Sequence, residues 1–195
     1  MQMAMNTGYV ARPCQGETVC GDVGVSWDLP KRRVLALADG LGHGPKAHHA
    51  AMMAIECIAK NLHLECAEMF AVCNEKLRST RGAVLAVAVI DLTRNLLTLG
   101  SIGNIRCQLL TPTHYSRLGA GRGIVGAGFK WSPPDQVQLA HGDTLVMYSD
   151  GVAEDAAVRA AYVSATMTPQ QLAQDVLSQW GRKDDDASVL VYRHE

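Results

Sequence analysis

Apolar side chains recur along the first part of the chain with two different periods. Residues 19–27 and 33–38 are short runs rich in Val, Leu and Trp, and the turn-forming residues 28–31 lie between them, which predicts a β-hairpin. In residues 45–62 and 65–78 the apolar positions instead fall three and four apart, so each segment is predicted to be a helix with one buried face. Two strands followed by two adjacent helices are therefore expected.

The pattern returns to short β-rich runs after the two helices. Residues 83–91 and 96–110, joined by a turn, predict a second hairpin. Residues 137–139, 144–149 and 188–192 predict three further strands. Strands in hairpins combined with paired helices, rather than alternating βαβ units, predict a layered α+β domain with largely antiparallel sheets.

Two connecting segments have a distinct composition. Residues 119–134 are crowded with Gly and Pro and are expected to form a long irregular connection. Thr168, Pro169 and Gln171 have the spacing of a capping box with proline at the first helical position, which predicts that a helix begins there. The buried stripe of that helix is expected to contain Leu172, Val176 and Trp180.

Composition and charge narrow the function classes. The chain has 195 residues, 48% hydrophobic and 19% charged, which suits one globular domain over residues 1–195. A net charge of −1 disfavours nucleic acid or an anionic membrane as the main partner. The longest apolar run, residues 83–90, is far shorter than the ~20 residues that cross a bilayer. With no export signal and no C-x-x-C pair, we expect a cytoplasmic protein with reduced cysteines.

Aspartates stand at the ends of several predicted strands. Asp39 and Asp150 each end an apolar run and precede a glycine, and Asp22 lies in the first strand. Asp185 and Asp186 directly precede the last strand. An Asp-Gly pair is equally a turn signal, so the spacing alone leaves open whether these carboxylates converge. If they do, hard cations such as Mg²⁺ or Mn²⁺ would be needed to compensate their charge.

The order of short motifs along the chain resembles that of the PPM family, the metal-dependent serine/threonine phosphatases also called protein phosphatase 2C-like. The motifs are Gly21-Asp22, Ala38-Asp39-Gly40-Leu41-Gly42-His43-Gly44, Gly103-Asn104, Ser149-Asp150-Gly151-Val152 and Asp185-Asp186-Ala187-Ser188-Val189. Within this family the chain is most similar to the bacterial SpoIIE-type branch, and there to the small stand-alone RsbX-type stressosome phosphatases. The ordered set is specific, whereas no single motif is.

The resemblance implies a minimal αββα sandwich, with two antiparallel sheets flanked by helix pairs and two Mn²⁺ or Mg²⁺ ions at one edge. Asp39 would bridge the two ions, and the Gly40 carbonyl would bind one of them. Asp22 would support the second ion, partly through water, while Asp150 and Asp185 would hold the first. A hydroxide bridging the ions would then attack the phosphoryl group, so these aspartates are the predicted catalytic set.

Three further residues are candidates for supporting roles. Asp186 stands where many relatives have Asn, so it is expected outside the direct ligand shell. His43 comes two residues later than the histidine of many relatives, and either a general-acid role or a structural role near the helix start is open. Arg12 is the candidate for binding phosphate. The short chain between residues 103 and 137 is expected to lack a large flap and the third metal site associated with it.

The resemblance also implies a substrate. We expect a monomer that removes phosphate from STAS-domain proteins of the stressosome, similar to RsbS and RsbR. This reaction would reset a bacterial stress signal. Two alternatives stay open: a SpoIIE-like phosphatase of an anti-anti-sigma factor, and a scaffold that binds phosphoproteins without cleaving them.

Two other motifs have weaker support. Residues 121–126 match the dinucleotide fingerprint G-x-G-x-x-G, but they lead into Gly128 and two prolines instead of a helix. Four histidines lack cysteine partners at zinc-finger spacing and are expected to be solvated or to cap helices. They are His43, His48, His49 and His63.

Overall fold

Two antiparallel sheets packed face to face form the centre of the molecule. The computed structural model describes residues 6–154 and 167–195. Within these residues helices cover the outer face of each sheet, and a third, two-stranded sheet lies at one end. The predicted α+β sandwich of two antiparallel sheets is therefore confirmed.

The first sheet carries the helix pair on its outer face. Its strand order is β10-β5-β4-β3-β2 in the described part of the chain. The strands are β2 (Asp22–Leu29), β3 (Arg32–Gly40), β4 (Ala83–Asp91), β5 (Leu96–Ile102) and β10 (Asp135–Gln138). The predicted hairpin of β2 and β3 and the two predicted helices, α1 (Gly44–Lys60) and α2 (Cys66–Leu77), are confirmed.

The second sheet joins the two ends of the described chain. Its order is β1-β12-β11-β6-β7. The strands are β1 (Thr7–Arg12), β6 (Arg106–Leu110), β7 (Tyr115–Leu118), β11 (Thr144–Tyr148) and β12 (Ala187–Arg193). Helix α3 (Pro169–Trp180) covers its outer face and begins at the predicted capping box, where the Thr168 side chain accepts a hydrogen bond from the Gln171 N–H at 3.2 Å.

Alternating positions along the strands separate three apolar layers. In β3, Ala36 and Ala38 contact the layer under α1 and α2, whereas Leu35 and Leu37 face the other sheet. The small alanines allow α1 to approach the strand closely. The two-residue period of the strand therefore decides which side chains enter the space between the sheets.

The sequence-based assignment of strands is wrong in three places. Residues 96–110 are not one strand, because β5 ends at Ile102 in the first sheet and β6 begins at Arg106 in the second. Residues 119–134 are not wholly irregular, since they include β8 (Arg122–Ile124) and β9 (Gly128–Lys130), which pair as a small hairpin. The short strands β1 and β7 were not predicted, because their side chains are largely half-buried or exposed.

Two predictions about the chemistry of the chain can also be compared with the structure. All six cysteines are free thiols. In residues 6–154 and 167–195, no helix is both long and apolar enough to cross a membrane.

Candidate metal centre

The candidate site lies where the apolar side chains between the two sheets end. Leu35 and Leu37 of β3 face the other sheet, so the two-residue period places Asp39 next on the same side. Asp22 of β2 is paired directly with Asp39. Because directly paired residues of antiparallel strands share a face, the first sheet ends here with two neighbouring carboxylates.

The second sheet contributes hydroxyl groups at the same level. Met147 and Leu190 belong to the core between the sheets. Ser149 lies two residues after Met147 and Ser188 two residues before Leu190, so both serines face the same side as these apolar residues. Ser188 Oγ donates to Asp22 Oδ2 at 2.7 Å and lies 3.3 Å from Ser149 Oγ. Both serines are fully buried. A carboxylate of the first sheet is therefore held by hydroxyls of the second.

Three more aspartates reach this edge from the ends of β11 and β12. Asp150 Oδ2 accepts a hydrogen bond from Asn104 Nδ2 at 2.6 Å. Asp185 Oδ1 accepts from the Asp186 N–H at 2.9 Å. Asp186 Oδ1 in turn accepts from the Cys14 N–H at 2.9 Å, which attaches the loop after β1 to the site.

These carboxylates influence one another through burial and charge. Burial, together with the negative charges of Asp22, Asp150, Asp185 and Asp186, raises the pKa of Asp39 to about 9. Burial also raises the pKa of Asp22 to about 6, against hydrogen bonds from the two serines that lower it. The pKa of Asp185 is raised by burial and then by the charge of Asp150. The site therefore concentrates negative charge, the electrostatic condition for binding cations.

Two glycines allow close backbone contacts at the site. A Cβ added to Gly40 would lie 1.9 Å from the carbonyl oxygen of Ala47 in α1. A Cβ added to Gly151 would lie 1.9 Å from the carbonyl oxygen of Asp186. Glycine is required at both positions by packing, because any side chain would push the neighbouring backbone away.

The two remaining candidates have partners other than the five aspartates. His43 directly precedes α1, and its Nδ1 lies 2.6 Å from Glu17 Oε1. This pairing fits a structural role near the helix start, and the general-acid role stays a prediction. The guanidinium of Arg12 donates to the carbonyl oxygen of Arg182, and its Nε has no hydrogen-bond partner in the described part of the chain. Phosphate binding by Arg12 likewise stays a prediction.

Sequence reasoning assigned no role to Ser149, Ser188 and Asn104, which orient two of the carboxylates. The serines could have been found from their pattern, since each occupies an inward position of a buried strand or its extension where an apolar side chain is expected. Asn104 follows β5 across the gap between the sheets, so only the fold brings it to Asp150.

The donor set fits divalent cations. Asp22 Oδ1 and Asp186 Oδ2 are buried without hydrogen-bond partners among the described residues, and a bound cation would satisfy such oxygens. Across residues 6–154 and 167–195, no three His, Cys, Asp or Glu side chains already surround a common point. Mg²⁺ in particular needs only one or two carboxylates, because it keeps several waters.

Comparison with known proteins defines the class. The chain superposes with a TM-score of 0.80 on the PP2C phosphatase domain of SpoIIE from Bacillus subtilis, at 22% identity, covering 96% of this chain and 62% of that one. The family described as Stage II sporulation protein E (SpoIIE) matches residues 30–195. The fold is thus that of PP2C-type phosphatase domains, and the chain belongs to the SpoIIE family.

Three matches to particular proteins add detail. Phosphoserine phosphatase RsbX of Bacillus subtilis (strain 168) is 31% identical over 100 residues, and this match spans about half of each protein, 51% of this chain and 50% of RsbX. A structure of RsbX in complex with magnesium has a TM-score of 0.82 at 21% identity, covering 96% of this chain and 94% of that chain. A third structure has a TM-score of 0.89 at 30% identity, covering 96% of this chain and 98% of that chain. It comes from a study of the bacterial stressosome as a modular system adapted to control secondary messenger signalling.

Proposed function

We propose that this protein is a phosphatase that depends on divalent metal ions and removes phosphate from serine or threonine of a partner protein. The observation that carries the proposal is a cluster of five interacting aspartates at one edge of the sandwich. They are Asp22 and Asp39 of the first sheet and Asp150, Asp185 and Asp186 next to strands of the second. Membership in the SpoIIE family and the likeness to a phosphoserine phosphatase crystallised with magnesium support it.

The residues of the site divide into ligands and groups that orient them. Asp39, the Gly40 carbonyl, Asp22, Asp150 and Asp185 would hold two Mg²⁺ or Mn²⁺ ions. Such ions lower the pKa of bound water and stabilise charge on phosphoryl oxygens. The buried serine hydroxyls fix the orientation of one carboxylate, and an asparagine amide fixes another. Because no nucleophilic side chain is needed, no phosphoenzyme should accumulate.

The substrate we propose is a phosphorylated STAS-domain protein of the stressosome, so that dephosphorylation resets a stress signal. The likeness to RsbX and to a chain from a stressosome study supports this substrate class.

The reaction is tested by replacing two ligands. Asp39→Asn and Asp150→Asn should each reduce Mn²⁺-dependent hydrolysis of p-nitrophenyl phosphate at least ~100-fold, because each removes a charge that holds a cation. The circular dichroism spectrum should not change. Glu75→Gln is the control, since Glu75 is an exposed residue of α2 paired with Arg78. Unchanged turnover in both aspartate variants would contradict the proposed chemistry.

The substrate is tested with two separately phosphorylated proteins, a STAS-domain protein of the stressosome and an anti-anti-sigma factor. Each is incubated with the protein and Mn²⁺, and the loss of phosphate is followed by mass spectrometry. Faster loss from the stressosome protein is expected. Faster loss from the anti-anti-sigma factor would favour that alternative, and loss from neither, with no calorimetric uptake of Mn²⁺, would indicate a scaffold.

A further inference from the structure

We propose that Arg81 binds the phosphoryl group of the substrate beside the acidic edge. This inference rests on the proposed phosphatase function and adds a residue for substrate binding to it. An edge that collects cations must also hold a phosphate dianion, and a guanidinium suits this because its N–H donors form a planar fork.

The backbone places Arg81 next to the loop that follows β3. Gly40 is the last paired residue of β3, and the Leu41 N–H extends the pairing by donating to the carbonyl oxygen of Gly82 at 3.1 Å. Arg81 therefore stands opposite Gly42. Three strand positions, ~10 Å of backbone, separate this point from the aspartate of β3.

The side chain of Arg81 lies over this loop. Its Nη1 is 3.5 Å from the carbonyl oxygen of Leu41, one peptide beyond the Gly40 carbonyl that is proposed to bind a cation. The same nitrogen lies 2.8 Å from the place where a Cβ of Gly42 would be, so the absence of a side chain at Gly42 leaves room for the guanidinium. The cation of Arg81 is thus positioned beside the expected location of the phosphoryl group.

The turn between α2 and β4 is held by local contacts. Thr80 Oγ1 donates to the carbonyl oxygen of Leu77 at 2.7 Å and accepts from the Gly82 N–H at 2.9 Å. Gly82 has φ of +82°, and a Cβ there would meet Ile124 Cγ2 at 2.6 Å. These constraints present Arg81 from a defined backbone position instead of a loose loop.

Arg81 is also free to bind an anion. It is exposed and forms no ion pair with an acidic side chain in residues 6–154 and 167–195. Its hydrogen bond in the described part of the chain is the long 3.5 Å contact with the Leu41 carbonyl. Arg182, by comparison, is paired with Asp184, whereas Arg12 also contacts a backbone carbonyl and stays a second candidate for phosphate. The guanidinium of Arg81, without an acidic partner, is available to a doubly charged phosphate.

The test measures phosphate binding separately from turnover. Inorganic phosphate is titrated into the Mn²⁺-loaded protein, and Mn²⁺ into the metal-free protein, by calorimetry. Arg81→Gln should weaken phosphate binding roughly 10- to 100-fold, as expected for a lost charged hydrogen bond, and leave Mn²⁺ affinity within twofold. Arg81→Lys should retain part of the affinity. Arg78→Gln is the matched control, because Arg78 lies three residues earlier, is exposed and pairs with Glu75.

The outcomes separate this inference from the proposed function. Equal phosphate affinity in Arg81→Gln and in the unmodified protein would overturn the inference while leaving the phosphatase activity standing, and so would a parallel loss of Mn²⁺ affinity, which would indicate a structural role. An unmodified protein that binds Mn²⁺ and phosphate but hydrolyses no phosphoester would instead contradict the proposed function. A selective loss of phosphate affinity supports the role of Arg81 in either case.

Discussion

Three consecutive aspartates before β12 have the same side chain and different environments. Asp184 is exposed, and the pKa of its carboxyl is lowered by a hydrogen bond from Arg182. Asp185 is half-buried and its pKa is raised by burial. Asp186 is buried with one carboxylate oxygen unpartnered in the described part of the chain. Of the three, Asp184 has the surroundings of a surface residue, whereas the other two belong to the acidic edge.

This difference predicts unequal effects of the same substitution. Asp185→Asn should lower Mn²⁺-dependent turnover ~10- to 100-fold, because it removes a carboxylate that is proposed to hold a cation. Asp184→Asn should leave turnover within about twofold, since an exposed ion pair contributes little. Steady-state assays on the two variants decide the matter. Equal losses would contradict the assignment of Asp185 as the ligand.

The sequence predicted the acidic residues better than their partners. Asp22, Asp39, Asp150 and Asp185 could be named because their motifs follow one another in a recognisable order. The hydrogen bonds from Ser188 and Asn104 connect residues far apart along the chain, 166 and 46 positions from their respective acceptors. Such pairs depend on how the sheets pack, which no local pattern encodes.

Helix α1 packs directly against the end of β3 at the site. The helix begins four residues after the strand ends, and its Ala47 carbonyl lies over Gly40. Because Gly40 has no side chain, the helix can contact the strand end directly.

Gly40→Ala should therefore destabilise the protein. A Cβ 1.9 Å from a backbone oxygen forces the helix to move, and such overpacking costs ~1–3 kcal/mol or more. Gly16→Ala is the control, since Gly16 has φ of +94° but no atom within 4 Å of the added Cβ, so only the backbone cost of about 1 kcal/mol is expected. Urea denaturation measures both. A smaller loss in Gly40→Ala than in Gly16→Ala would show that the contact does not constrain the helix.

The sequence pattern failed to separate β5 from β6 and to predict β1 for a related physical reason. The apolar pattern continues from β5 into β6 with little interruption, yet the chain changes sheets at Gly103, where φ is +99°. Periodicity describes which side chains are buried and contains no information on which sheet a strand joins. The edge strand β1 is held by its pairing with β12, at the opposite end of the sequence, and therefore lacks a strong local signal.

In the whole molecule the acidic edge lies across the junction of the two sheets. Asp22 and Asp39 belong to the first sheet, and Asp150 and Asp185 extend from strands of the second. Repulsion between unneutralised carboxylates therefore opposes the packing of one sheet on the other. Divalent cations would reverse this effect, so metal binding and stability should be linked.

We expect the stability of the metal-free protein to fall as the pH rises. The pKa of Asp39 is about 9 in the folded chain against an ordinary value of 3.8, so the folded state binds the proton more tightly than the unfolded chain does. The stabilisation that this proton provides is lost as the pH rises from 3.8 to about 9. Thermal unfolding at pH 5 and pH 8 should show a smaller decrease for Asp39→Asn, whose side chain stays neutral. Mn²⁺ should raise the unfolding temperature of the unmodified protein more at pH 8 than at pH 5. An identical pH dependence in both proteins would contradict this linkage.

Successive side chains of β3 point to opposite faces of the sheet, so the function of each residue depends on its exact position in the strand. Ala38 and Asp39 are neighbours, yet one faces the helices and the other the interior of the sandwich. Removing a single residue from the middle of β3 would shift the following residues by one position, carrying the carboxylate beneath α1 and Gly40 into its place. We therefore expect insertions and deletions in this strand to inactivate the protein even where every acidic residue is retained.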